Sequence, residues 1–302
     1  MAAWHPLPYD GWRASLDTLH CHTQVLGKVA LALAAPQPEL QHGALRLTVH
    51  GWETPPLDAP DGSGAIGLTL DLRLHEVFVE HADGRSISVP LTPDRPVAEV
   101  TRNVLAAVEE LAGEVEINMK PQETAWSTPL DEDTEHATYD VDRNSEYFDA
   151  ATRAALVLTA FRAPFRGRST PVNAWWGGFD LAVSLFSGRP AEPPSQDFIM
   201  RNSMDAQEIA VGWWPGDHRY PHAAFYAYAH PSPVGLADVE LPAGRWDSSL
   251  GEFVLDWDEL VDERDPHATA LHFLRSFAEH ACLLCGWDPT LASTVTSTVF
   301  VR

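Results

Sequence analysis

The chain has few cysteines, few basic residues and no long apolar run, and each shortage excludes something. Three cysteines in 302 residues are an odd number in a long chain, which argues against a disulfide framework and fits a reducing compartment. The longest apolar run, residues 29–35, has seven residues, against the roughly 20 needed to cross a bilayer. The start, Met1-Ala2-Ala3-Trp4-His5-Pro6, lacks the basic and apolar stretches of a signal peptide, so a cytoplasmic location is expected. Lys and Arg total 20 against 43 Asp and Glu, a formal net charge of −23. Such a surface repels phosphate backbones and anionic lipid, so neither a nucleic-acid nor a membrane partner is expected. There is no Gly-rich phosphate loop, dinucleotide fingerprint, Gly-x-Ser-x-Gly elbow or His-Glu-x-x-His string. Kinase, P-loop NTPase, Rossmann dehydrogenase, α/β-hydrolase and zincin chemistries lose support with them.

What remains is an ordinary globular composition, 45% hydrophobic. Residues 20–33 alternate, with Cys21, Thr23, Val25, Val29, Leu31 and Leu33 opposed to His20, His22, Gln24 and Lys28, a period that predicts a half-buried strand. Residues 44–50 repeat the pattern, and Ile66, Leu68, Leu70 and Leu72 mark a third strand. Residues 77–80 and 86–91, split by Asp83-Gly84, predict a hairpin. Asp94 is placed to cap a helix with the stripe Val97, Val100, Val104, Val108 and Leu111, stopped at Gly113. An acidic stretch over 121–146 predicts a surface connector, followed by a helix capped by Asn144 or Ser145 and running to about Phe161. Strands are then expected at 172–186, 208–214, 223–230 and 252–257. A last helix has Asp265 as cap, Pro266 in its first turn and Gly286 as its close. The expected fold is α+β: two similar halves, each an antiparallel sheet followed by a helix, in a pseudo-two-fold arrangement. The boundaries are 1–120, a connector and helix at 121–168, and 169–302, forming one compact unit.

Several strings resemble an uncharacterised bacterial family, the domain of unknown function 5996. They include Leu7-Pro8-Tyr9, Thr18-Leu19-His20, residues 23–28 (Thr-Gln-Val-Leu-Gly-Lys), and residues 136–140 (His-Ala-Thr-Tyr-Asp). Residues 176–183 (Trp-Gly-Gly-Phe-Asp-Leu-Ala-Val), 186–189 (Phe-Ser-Gly-Arg), 212–216 (Gly-Trp-Trp-Pro-Gly), 225–228 (Phe-Tyr-Ala-Tyr) and Gly251-Glu252-Phe253 continue it to about residue 290. The resemblance supports the fold and implies no reaction. The chain departs from the family pattern at His22, where a Trp is usual, and at Asn173, where a His is usual. It also has Asp205-Ala206-Gln207-Glu208 in place of a Ser-His-Glu string.

Three groups of residues carry chemistry. If 20–33 is a strand, His20 and His22 lie on one face about 7 Å apart, where two imidazoles can share a transition metal. His42 and His50 have the parity to supply a third ligand. The donor set does not distinguish Fe, Zn and Cu, and polar-face histidines held by hydrogen bonds are the alternative. The second group is aromatic: Trp175, Trp176, Trp213, Trp214, Tyr226 and Tyr228 line either a pocket for a small organic molecule or the core. Asp180, a carboxylate inside an apolar run, needs a partner such as Arg189 or Lys28. Asp180 and Arg189 are the catalytic candidates, with a structural ion pair as the alternative. Cys282 and Cys285, inside the last helix, read as buried thiols. The expected function is metal-dependent chemistry on a small organic molecule in a cleft between the halves, or binding of that molecule without catalysis. Oligomeric state is left open.

Overall fold

The computed structural model describes residues 4–292. The helix α1 (Arg13–Leu33) opens it. The first sheet holds β1 (Arg46–Leu47), β2 (Gly51–Glu53), β3 (Leu57–Asp58), β4 (Ala65–Asp71), β5 (Glu76–His81) and β6 (Ser86–Pro90), ordered β1-β2-β4-β5-β6 with β3 on β4. Two helices follow, α2 (Val97–Ala112) and α3 (Val141–Arg162). The second sheet contains β7 (Asn173–Trp175) and β8 (Asp180–Pro190), then, after the short helix α4 (Phe198–Ser203), β9 (Ala206–Trp214) and β10 (Ala224–His230). β11 (Arg245–Asp247) and β12 (Glu252–Asp256) complete it, in the order β11-β12-β10-β9-β8-β7. The helices α5 (Trp257–Val261), α6 (Pro266–Leu284) and α7 (Pro289–Ala292) end the described chain. Every strand pairing is antiparallel. The architecture is thus α+β, with two six-stranded antiparallel sheets each followed by helices.

Residues 20–33, expected as a strand, are helical. Both phases of their alternation are buried, from Leu19 and Cys21 to His20, His22, Gln24 and Lys28. A helix enclosed on nearly every side has no polar face for a 3.6-residue period to reveal. Its few polar residues reach backbone carbonyls instead: His20, Gln24 and Lys28, four apart, lie along one face. The segment 44–50 is only partly strand, and Val49 points to solvent at 72% exposure. Residues 172–186 are broken by a turn between β7 and β8, and residue 257 begins α5.

Helix ends follow their chemistry, though not always at the expected residue. Asp265 accepts from the Ala268 amide (3.1 Å), with Pro266 at the first turn of α6. Pro96, not Asp94, precedes α2, and Asp140, rather than Asn144 or Ser145, caps α3 through the Arg143 amide (3.1 Å). The acidic connector is not all surface, because Leu130, Asp133 and Tyr139 are buried.

The second sheet has two faces of different character. Leu181, Val183 and Leu185, Ile209, Val211 and Trp213, and Phe225 and Ala227 point into the main core, which also holds Tyr147 and Leu158 of α3 and Phe273 and Phe277 of α6. The opposite face belongs to a separate, smaller cluster around Trp214 and Tyr226.

One position ties α1 to the second sheet. A Cβ on Gly27 would lie 1.9 Å from Cδ1 of Trp176. Gly→Ala within a helix ordinarily gains up to about 1 kcal/mol, whereas overpacking a core costs about 1–3 kcal/mol. Gly27→Ala is therefore expected to destabilise the protein in urea unfolding; equal or greater stability would show that Trp176 does not sit in the groove Gly27 provides.

Candidate functional site

The outward face of the second sheet is built to leave room. Antiparallel register puts Ala182 opposite Gly212 and Ser184 opposite Ala210, with Gly212 opposite Tyr226 and Ala210 opposite Tyr228 on the far side. The small residues make a floor, and the two tyrosines and Trp175 make walls. A Cβ on Gly212 would come within 2.2 Å of the Tyr226 ring, so glycine there is what lets that ring lie across the sheet. The rings of Tyr226 and Tyr228 stack at 6.2 Å with planes 10° apart. The turn Pro38–Gly43 and α4, with Phe198, Ile199 and Met200, close the space from above. The cavity measures about 200 Å³, below the ~300–1,000 Å³ of pockets for drug-sized ligands.

Its ionisable groups other than the tyrosines are all carboxylates, beside the neutral Gln41, Ser184 and Ser203. Tyr226 donates its hydroxyl proton to Asp180 Oδ2, and the Tyr228 hydroxyl stands 3.5 Å from Glu208 Oε1. Burial pushes the Asp180 carboxyl up to about 7, against the pull of the Tyr226 hydrogen bond. Burial likewise lifts Glu208 to about 7, opposed by hydrogen bonds from Ser184 and Tyr228. Glu123 stands at the rim, and its Oε2 would be 2.3 Å from a Cβ on Gly177. A Cβ on Gly178 would be 2.7 Å from Asp180 Oδ1, so the Gly177-Gly178 pair makes space for both acids. Glu39 differs, being held by two bonds from Arg168, at 2.6 and 2.8 Å. No lysine, arginine or histidine is among the described residues that line the cavity.

Backbone strain gathers at the same place. Six non-glycine residues among those described have left-handed φ; Glu39, Leu40 and Glu123 line the cavity, and Phe179 directly precedes Asp180. Such conformations cost about 1–3 kcal/mol each and cluster at functional sites. Phe179 is held there by stacking on His20 (5.1 Å), Trp52 (5.2 Å) and Tyr147 (5.1 Å).

The expected site residues separate into those the cavity uses and those it does not. Trp175, Trp176, Tyr226, Tyr228 and Asp180 line it. Trp213 has the opposite parity and is buried in the main core against Tyr147 and Trp257. Trp214 shares the outward face but packs on Tyr220 and Tyr226 outside the lining. Arg189 is exposed towards the end of β8 and also lies outside the lining. Asp180 pairs with Tyr226 rather than with Arg189 or Lys28, whose ammonium donates to the Lys120 carbonyl (2.8 Å). Sequence reasoning missed Glu208, Glu123 and Glu39. Glu208 carries the signal that exposed Asp180, a carboxylate inside an apolar strand.

The four histidines do not form a metal site. On a helix, residues two apart point in nearly opposite directions, so His20 and His22 have different surroundings. His20 Nε2 lies 2.9 Å from both the Trp176 and Gly177 carbonyls, and burial holds the ring neutral, near 4. The Nε2–H tautomer therefore donates to that turn. His22 has no partner for its Nδ1, and burial lowers it to about 3. His42 accepts from the Gln37 amide (3.0 Å), while exposed His50 contacts Arg73 and lies 3.5 Å from Asp71. A different trio does meet: ligand atoms of Cys21, Asp133 and His136 lie within 4.8 Å of one another. Cysteine, carboxylate and imidazole are a donor set that can hold a metal ion. In the protein, Asp133 accepts from His136 Nδ1 (2.7 Å) and from two backbone amides, and burial raises the Cys21 thiol. Cys282 is buried, its thiol pushed up to about 12 by desolvation.

A model of a family of unknown function, DUF5996, matches residues 4–294. The chain belongs to that family. The match spans the α1 clamp, the Trp176–Asp180 turn and the tyrosine strand β10 alike. No curated protein and no solved structure shows a match. No described helix of this family member is long and apolar enough to cross a membrane.

The raised carboxyls have a consequence for stability. Asp180 and Glu208 titrate near 7 in the folded protein and near 4 when unfolded, so ionising them opposes folding. Their favourable contribution is complete below about pH 4 and is lost as pH rises through about 7. Asp180→Asn, which keeps an acceptor for Tyr226, is expected to gain in melting temperature relative to the parent between about pH 5 and about pH 8. A difference independent of pH would contradict the raised carboxyl.

Proposed function

We propose that this protein binds a small organic molecule in the cavity on the outward face of its second sheet. The observation that carries the reading is that one sheet face is left hollow, with aromatic walls, a small-residue floor and buried carboxyls, while the other face builds the core. Burying polar groups beside an empty space without charged partners costs stability. A fold that needed only stability would fill the space with Leu or Val. The test is a thermal-shift screen of metabolites on the parent and on two variants that fill the floor, Ala182→Phe and Ala210→Leu. Ligands are expected to raise the melting temperature of the parent and to lose at least about tenfold in affinity for whichever variant folds, about 1.4 kcal/mol. Binding unchanged in both would place the ligand elsewhere.

A metal-dependent reaction is the second reading, and Cys21, Asp133 and His136 are the observation that favours it. Metal binding there would have to displace the thiol proton and the Asp133–His136 bond. Elemental analysis of protein purified without chelator tests it. A stoichiometric transition metal lost in His136→Ala would support the reading; less than about a tenth of an equivalent in the parent would end it.

A further inference from the structure

Three acids face the cavity, Glu208 buried, Asp180 half-buried and Glu123 exposed at its edge, and none of them is in an ion pair among the described residues. Asp180 is answered by the Tyr226 hydroxyl and Glu208 by Tyr228 and Ser184, all neutral donors. Glu123 crowds Asp180 across the Gly177-Gly178 turn. Glu252 of β12 adds its charge to Asp180 from across β9 and β10. The cations nearby are committed elsewhere. Arg168 forks onto Glu39 and stacks 3.7 Å over Phe186. Arg219 is largely exposed and paired with Asp217 at 2.7 Å, from where its charge reaches Glu123 and Glu252 but not Asp180 or Glu208. Lys28 turns to the Lys120 carbonyl.

Resting on the small-molecule reading, we propose that the occupant of this cavity is an organic cation, a small amine or quaternary ammonium compound. Two independent features select positive charge. Carboxylates drawn partly out of water with no ion pair of their own are costly, and a cation placed among them offsets that cost. The ring faces of Trp175, Tyr226 and Tyr228 attract a cation by their quadrupoles, the arrangement by which aromatic cages hold ammonium groups. A sugar would use the same rings but would leave the carboxylates uncompensated. An anion would meet repulsion from the carboxylates and from the faces of the aromatic rings. The volume of about 200 Å³ is small for a nucleotide or a large cofactor and suits a compact amine.

Binding is then coupled to protons. Asp180 is faced by Tyr226, Glu123 and Glu252, the last two themselves within reach of the Arg219 charge, and Glu208 by Tyr228, Ser184, Glu39 and Arg168. These carboxyls titrate near 7 when the cavity has no cation, and a bound cation favours their ionised form. Ligand entry therefore expels protons, and affinity rises with pH until both acids are ionised in the free protein.

The experiment compares choline with its uncharged isostere 3,3-dimethyl-1-butanol, and butylamine with butanol, by isothermal titration calorimetry near pH 7 in two buffers of different ionisation enthalpy. The expected result is at least about tenfold tighter binding of each cation than of its neutral partner, with proton release that shrinks in Asp180→Asn and Glu208→Gln. Tyr226→Phe, which keeps the ring, should bind more tightly than Tyr226→Leu. Equal binding of charged and neutral members, or no binding of either cation at about 10 mM, overturns the proposal. If neutral metabolites bind in the Ala182- and Ala210-dependent manner described above, the cation claim fails and the small-molecule reading stands. If nothing depends on those two residues, both fail.

Discussion

The hydrogen bonds from α1 to the Trp176–Gly177 turn are the constraint on which the site depends. A turn buried against a helix must have its carbonyls satisfied, because an unpaired buried acceptor costs about 1–3 kcal/mol. Trp176 O receives His20 Nε2 and Gln24 Nε2, at 2.9 and 3.1 Å, and Gly177 O shares the imidazole. Gln24 also binds residue 122 through both the amide and the carbonyl, at 3.0 and 2.8 Å. One helix face thus fixes two loops, one presenting Asp180 and the other Glu123. Two of the clamping side chains are uncharged donors, which is what a dry seam permits; burial keeps His20 neutral. The third, Lys28, is held nearer its neutral form by the same burial, at about 8.

Around that clamp the molecule concentrates what it elsewhere avoids. The Trp176 indole donates to the Gly43 carbonyl (2.9 Å) and so joins the lid turn to the same seam. Asn173, in the strand before it, bonds Gln41 (2.8 Å) and Arg46. Left-handed φ at Glu39, Leu40, Glu123 and Phe179 would unwind in an isolated peptide. Here Phe179 is held by ring stacking and Glu39 by Arg168, and the cost is offset by the apolar core behind the sheet.

Strands with one wet and one dry face were legible in the sequence, because their alternation reports a physical asymmetry. That is why β4, β5, β6 and α2 fall where the pattern places them. The helix α1 was not, since burial on all sides erased the asymmetry; its polar residues at 20, 24 and 28 answer carbonyls far away in sequence. The histidine site rested on that strand and disappears with it. Asp180 stood out as a charge in an apolar strand, and the tyrosines by their spacing. The Glu123 contribution was hidden, because a loop residue held by a left-handed turn has no periodicity to read.

Splitting the second sheet into a load-carrying face and a hollow one also separates two kinds of mutational risk. Ala182, Ser184 and Ala210 contribute almost nothing to the main core, yet their side-chain sizes set the depth and outline of the cavity, whereas Gly212 is kept small by the Tyr226 ring lying over it. Adding a methyl group at one of the first three alters the outline of the cavity and leaves the packing of α3 and α6 behind the strand untouched. The outline of the cavity can therefore change by small steps at three neighbouring positions without loss of the core behind the sheet.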